Sequence, residues 1–160
     1  MVPHPASVPW RDYSVYGFVL ISHMSSDILP RMPKISTFLL FDGRAEEAVN
    51  LYVSLFPDSS LTTMTKYGPG GSGKEGSVEL AEFVLNGTPF MAIDSPVQHE
   101  FTFTPATSIY VKCASEDEVS ALYGVLSEGG EVFMPLDSYP FSRKFAWVAD
   151  RFGVSWQLTV

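Results

Sequence analysis

The chain has 160 residues, 46% of them hydrophobic and 18% charged, which is the composition of a globular domain with a core. A formal net charge of −8 excludes a polyanionic partner such as nucleic acid, because no basic patch is available to displace counterions from phosphates. The single cysteine, Cys113, excludes an intrachain disulfide and a Cys/His zinc cluster, and points to a reducing, cytoplasmic setting.

Residues 1–33 differ from the rest. Pro3, Pro5, Pro9, Pro30 and Pro33 punctuate them and no period persists, so they read as a loosely packed extension. Met24 or Met32 would serve as alternative starts. The longest apolar run here, Gly17 to Ile21, is too short to span a bilayer, and neither a membrane partner nor an export signal is expected.

From Ile35 the elements are regular. Ile35 to Phe41 is a β-branched and aromatic strand. Asp42 and Gly43 turn the chain, with Asp42 as the expected N-cap. Ala45, Ala48, Val49, Tyr52, Leu55 and Phe56 then recur at helical spacing, and Pro57 ends that helix. Strands follow at Leu61 to Tyr67, Val78 to Leu85 and Pro89 to Asp94, with Asn86-Gly87 as a hairpin turn. Ser95 to Pro105 is a linker.

The second half starts with a strand at Thr107 to Cys113. Ser115 and Glu118 form a capping box, and Val119, Leu122, Tyr123 and Leu126 mark a helical stripe closed by Gly129-Gly130. A short strand, Glu131 to Met134, and a loop, Pro135 to Ser142, lead into a final hairpin. In its last strand Val154, Trp156, Leu158 and Val160 alternate with Ser155, Gln157 and Thr159. That polar row meets either solvent or a wet cavity.

The halves match. Leu51-Tyr52 and Leu122-Tyr123 are 71 positions apart, as are Glu46-Glu47 and Asp117-Glu118, Leu55 and Leu126, and Thr37 and Ser108. Each half reads strand, helix, three strands. The fold class is therefore α+β, two tandem βαβββ modules at about 34–94 and 106–160 of a domain spanning 34–160.

Four segments carry a family resemblance: FDGRAEEAVNLYVSLFPDS, EGSVELAEFVLNGTPFMAIDS, FTFTPATSIYVKC and SEGGEVFMPLDSYPFSRKFAWVADRFGVSWQL. They resemble the PhnB-like family, also labelled the 3-demethylubiquinone-9 3-methyltransferase domain, of the vicinal oxygen chelate (glyoxalase/bleomycin-resistance/dioxygenase) superfamily. The resemblance implies a cup of curled mixed sheets with helices outside, a homodimer and a small-molecule ligand. It also implies, in metal-using relatives, ligands on the first and last strands of each module. Those positions map to Thr37, Met91, Ser108 and Gln157, none a carboxylate or an imidazole. A divalent ion there would be left uncompensated, so no metal and no cofactor is expected.

Strand parity turns Thr37, Leu39, Ser108, Tyr110, Ser155 and Gln157 inward and Phe38, Leu40, Ile109, Val111, Trp156 and Leu158 toward the helices. Phe145 and Trp147 share a face, and either line the pocket or fill core. The expected pocket is thus Thr37, Leu39, Met91, Ser108, Tyr110, Phe145, Trp147, Ser155 and Gln157, with no catalytic residue assigned. The leading reading is a small-molecule-binding cup. The alternatives are a metal-dependent isomerase, dioxygenase or thiol transferase, and a resistance protein that sequesters its ligand.

Other motifs weaken on inspection. Gly68 to Glu75, GPGGSGKE, resembles a phosphate-binding loop but has Glu75 where a hydroxyl is needed, and a strand follows instead of a helix. No glycine-rich strand-to-helix turn suits S-adenosylmethionine, so methyl transfer is not expected. His99-Glu100 reads as surface linker. Ser138, Tyr139, Ser142, Arg143 and Lys144 sit near the expected cup mouth.

Overall fold

In the computed structural model, which describes residues 35–160, module one comprises β1 (Thr37–Phe41), α1 (Ala45–Leu55), β2 (Ser60–Lys66), β3 (Val78–Leu85) and β4 (Thr88–Asp94). Module two repeats the plan with β5 (Ile109–Lys112), α2 (Glu116–Leu126), β6 (Glu131–Tyr139), β7 (Ser142–Ala149) and β8 (Ser155–Thr159). The extension Met1 to Pro33 lies outside the described residues.

Each module forms its own four-stranded mixed sheet, in the order β1-β4-β3-β2 and β5-β8-β7-β6. The first and last strands of each module are parallel neighbours, and the remaining pairs are antiparallel. The same strand order in both halves is the duplication read from the sequence, now in three dimensions.

Both helices cover one face of a sheet, and the two covered faces feed one core. Ala48, Val49 and Tyr52 of α1 pack with Ala81, Phe83 and Ala92, while Val119, Leu122 and Leu126 of α2 pack with Val148 and Leu158. The modules meet at α1, where Tyr52 lies edge-on to Trp156 at 5.0 Å and Phe56 stacks on the same indole at 5.8 Å. Trp156 is fully buried. Cys113 joins this core, and burial followed by the Glu118 charge pushes its thiol up to about 11.

Two buried carboxylates hold irregular backbone in place. Asp150 accepts from Tyr52 Oη at 2.6 Å, Trp156 Nε1 at 2.8 Å, Phe152 N at 2.9 Å and Val154 N at 3.1 Å. Desolvation, then the Asp150 charge, holds the Tyr52 phenol far above its ordinary value, so it stays a donor. Asp94 accepts from Ala45 N at 2.8 Å and Val78 N at 2.9 Å.

Two local expectations are corrected. The N-cap of α1 is Arg44, without a side-chain cap, and the exposed Asp42 makes no cap; Asp94 satisfies the first helical N–H from 49 residues away. The expected loop from Pro135 is strand, with β6 continuing to Tyr139. Register shifts between Met134 and Asp137 leave Pro135 at an irregularity, where its missing N–H breaks no ladder bond.

Candidate functional site

The helix-free face of each sheet is set by register, because directly paired residues share a face. In module two one row across this face runs Tyr110, Gln157, Trp147, Met134, and a second runs Lys112, Thr159, Phe145, Asp137. Ser155 opposes Ala149 in a third. In module one the matching first row runs Phe38, Met91, Glu82, Thr63.

These rows overturn part of the parity expected for β1. Thr37 pairs with Phe90 and Leu39 with Ala92, so both stand on the helix-covered side, where Leu39 is only 6% exposed. Phe38 and Leu40 take the free face instead, and Phe38 is 52% exposed. The difference is one of register: Phe38 is the residue paired with Met91 as Tyr110 is the residue paired with Gln157, although the strand–helix turns 42–44 and 113–115 have the same length. Thr37 and Met91 are therefore on opposite faces.

In module two the parity matches the expectation. Ser108, Tyr110, Phe145, Trp147, Ser155 and Gln157 all belong to the helix-free side. Four of them form a continuous chain of polar contacts. Trp147 Nε1 donates to Ser155 Oγ at 2.9 Å, the Ser155 and Ser108 hydroxyls lie 2.7 Å apart, and Gln157 Nε2 donates to Ser108 Oγ at 3.2 Å. Tyr110, opposite Gln157, is 62% exposed. Phe145 stands apart from this chain, edge-on to Tyr139 at 5.8 Å and to Phe141 at 5.1 Å. Trp147 has Phe133 beside it, centroids 5.2 Å apart.

A cleft of about 510 Å³ opens between the first strands of the two modules. Phe38, Phe103, Ser108, Tyr110 and Ser155 are among its lining, and Thr37 reaches it from the start of β1. Its size lies within the range of small-molecule sites. Sequence reasoning missed Phe38, Leu40 and Ile93 as free-face residues, and Phe133 beside Trp147. Which residue of β1 pairs with Met91 is a matter of register that periodicity does not mark, and Phe133 lay in the expected strand without an assigned face.

The geometry also tests the metal site of the superfamily. The equivalent positions on first and last strands are Phe38, Met91, Tyr110 and Gln157, with Ser108 beside the last. A phenyl, a thioether, a phenol, an amide and a hydroxyl do not make a divalent-cation site. Asp94 is turned to the helix side and engaged by two backbone N–H groups. Among the described residues no three His, Cys, Asp or Glu side chains converge.

The remaining motifs are structural. The loop from Gly68 closes an antiparallel hairpin, with Tyr67 N donating to Ser77 O at 3.0 Å, and Gly73 lies against the Tyr67 ring. His99 stacks on Phe101 and contacts Ser95 Oγ at 2.9 Å in an exposed linker. Among the described residues no helix is long and apolar enough to cross a membrane.

Tandem βαβββ modules with separate helix-free faces define a protein of the vicinal oxygen chelate fold. The profile of the 3-demethylubiquinone-9 3-methyltransferase family matches residues 33–159, and the chain belongs to that PhnB-like family. The PhnB protein from Bacillus cereus is 54% identical, with a TM-score of 0.78 over 79% of this chain and 98% of that one. A Pseudomonas aeruginosa protein is 27% identical, with a TM-score of 0.70 over 80% and 97%. The fosfomycin resistance protein FosX from Listeria monocytogenes, solved with Mn(II) and 1S,2S-dihydroxypropylphosphonic acid, shares the fold at 12% identity, with a TM-score of 0.53 over 80% and 92%. No curated protein matches the chain.

Proposed function

We propose that this chain is a small-molecule-binding protein whose pocket is the helix-free face of module two, working without a metal, and that two copies associate to close it. The observation that carries the reading is the polar chain Trp147, Ser155, Ser108, Gln157, set between aromatic side chains beside an open cleft. Hydrogen-bonding groups ordered among aromatic walls are what an organic ligand needs for orientation. The donor set argues against a metal, and no nucleophile–base pair stands on this face. Binding without turnover is therefore the function proposed, and methyl transfer is not.

Association of two copies is supported by what each sheet leaves uncovered. β1 and β5 are both edge strands, and Ile35, Phe38 and Tyr110 beside them are exposed. Such edges and apolar side chains are usually covered by a partner. The reducing, cytoplasmic setting rests on the unpaired, buried Cys113.

Native mass spectrometry of the purified protein tests the reading. A dimer carrying a co-purified organic molecule is expected. Metal analysis of the same sample sharpens it: stoichiometric Fe, Zn, Mn or Ni would sink the metal-free reading.

A further inference from the structure

With the amide oriented as found, the buried Ser155 hydroxyl favours one arrangement of protons along the polar chain of module two. Ser155 is 3% exposed, and its Oγ already accepts from the Trp147 indole. The Ser108 oxygen is the one acceptor within reach of the Ser155 proton. Giving the Ser155 proton to the Ser108 oxygen leaves no buried hydroxyl proton without an acceptor, and that is the direction taken for this contact. The Ser108 oxygen then receives two protons, from Ser155 and from the Gln157 amide. Its own proton is left over, and Ser108 lines the 510 Å³ cleft.

Gln157 has the complementary surplus. Its Nε2 is engaged by Ser108, and among the described residues no group donates to its Oε1. Ser108 thus presents a hydroxyl donor to the cleft and the half-buried Gln157 beside it an amide acceptor, with the half-buried Trp147 indole behind Ser155. None of these four groups titrates. Of the charged members of the face, Lys112 and Asp137 belong to the neighbouring row with Thr159 and Phe145, and Glu131 belongs to the row of Ala149 and Ser155. Tyr110 and Trp147 flank Gln157 within its own row.

We infer that the pocket recognises a neutral, planar compound through an amide-type edge, an N–H beside a C=O, with Gln157 Oε1 accepting the N–H and Ser108 donating to the C=O. An aryl lactam is the simplest such ligand, its ring laid against Tyr110 or Trp147. A carboxylate offers no donor to Gln157 and loses part of its hydration. This inference rests on the pocket proposed above and specifies its chemistry.

Three probes test it on the full chain by calorimetric titration: isoquinolin-1(2H)-one, its N-methyl derivative and 1-naphthoate. The parent lactam is expected to bind about tenfold more tightly than either of the others, the loss typical of one unmade hydrogen bond. In Gln157→Leu the penalty for N-methylation should vanish. In Ser108→Ala both lactams should weaken by about tenfold while the penalty persists. Wild-type discrimination needs no variant, so a misfolded variant leaves the main comparison intact. Equal or tighter binding of the N-methyl compound or of naphthoate overturns the inference, even if the pocket itself stands. Failure of all three probes to bind overturns it as well, while a co-purified molecule in the native mass spectrum would still uphold the pocket.

Discussion

Module one begins its helix with a carboxylate borrowed from its own last strand, whereas module two begins its helix with the residues next door. Asp94 reaches Ala45 N across 49 positions; Ser115 Oγ accepts from Glu118 N at 3.2 Å, and Glu118 Oε2 accepts from Ala114 N at 2.8 Å. The free faces differ in the same sense. Module one's first row is Phe38, Met91, Glu82 and Thr63, with a single exposed contact from Thr63 Oγ1 to Glu82 Oε2 at 3.4 Å, while module two's carries Gln157 linked through Ser108 and Ser155 to Trp147. Both modules keep a buried carboxylate for the fold, Asp94 in one and Asp150 in the other, but only module two adds a linked polar chain on its helix-free face.

The strongest way to break this comparison is at the tie between the halves. Asp150→Ala removes the acceptor for four donors, two of them on the fully buried Tyr52 and Trp156. Leaving such groups unpaired in the core is expected to cost about 4 kcal/mol in urea unfolding. A loss below about 1 kcal/mol would mean that water replaces the carboxylate and that the modules are not locked through it.

Caps come next. Asp94→Ala orphans Ala45 N and Val78 N at once and should cost about 2–3 kcal/mol. Ser115→Ala removes one exposed cap contact and should cost about 1 kcal/mol. The order of these two losses is the measurement. If Ser115→Ala costs as much as Asp94→Ala, the distant cap is no stronger than the local one and the contrast fails.

Much of this was legible in sequence, for reasons the caps illustrate. Ser115 and Glu118 sit at fixed spacing, so their contact follows from local geometry, and the Asn86-Gly87 hairpin does too, with φ of 45° and 76°. Asp94 as a cap could not be seen, because nothing in the sequence marks which distant carboxylate will meet Ala45. Nor could the reversed faces of Thr37 and Phe38. Aligning the helices fixes the offset between modules, but the register of β1 against β4 is set by their own pairing and not by that offset. The strand faces of module two were readable because β5, β7 and β8 alternate cleanly. The polar chain joining them depends on three-dimensional neighbours that alternation alone does not specify.

Alkaline pH separates core from surface without a mutation. The Cys113 thiol is raised from 9.0 to about 11 and the Tyr52 phenol is raised as well, so the folded state holds both protons more tightly than the unfolded chain. Stability from these groups is complete below the unfolded values and is lost as pH rises through the folded ones. Thermal midpoints should therefore be insensitive to these groups up to about pH 9 and fall beyond it. Cys113→Ala should remove the early part of the fall, between pH 9 and about 11, and leave the part due to Tyr52. A fall unchanged in that variant would assign the whole effect to other groups.

The smallest expected effect bears most on function. Gln157 is half-buried, its Oε1 is free of protein donors among the described residues, and Ser108 retains Ser155 when the amide is removed. Gln157→Leu should thus change stability by no more than about 0.5 kcal/mol, the range of a surface substitution. Asp150 and Asp94 are kept by the fold, and their loss should be felt whether or not a ligand exists. A polar side chain that contributes almost nothing to folding, yet is held by a row of buried and half-buried partners, is explained by what it faces. If Gln157→Leu instead destabilises by more than about 2 kcal/mol, its hydrogen bond to Ser108 is part of the scaffold. The contrast between a structural module and a receptive one would then lose its main residue.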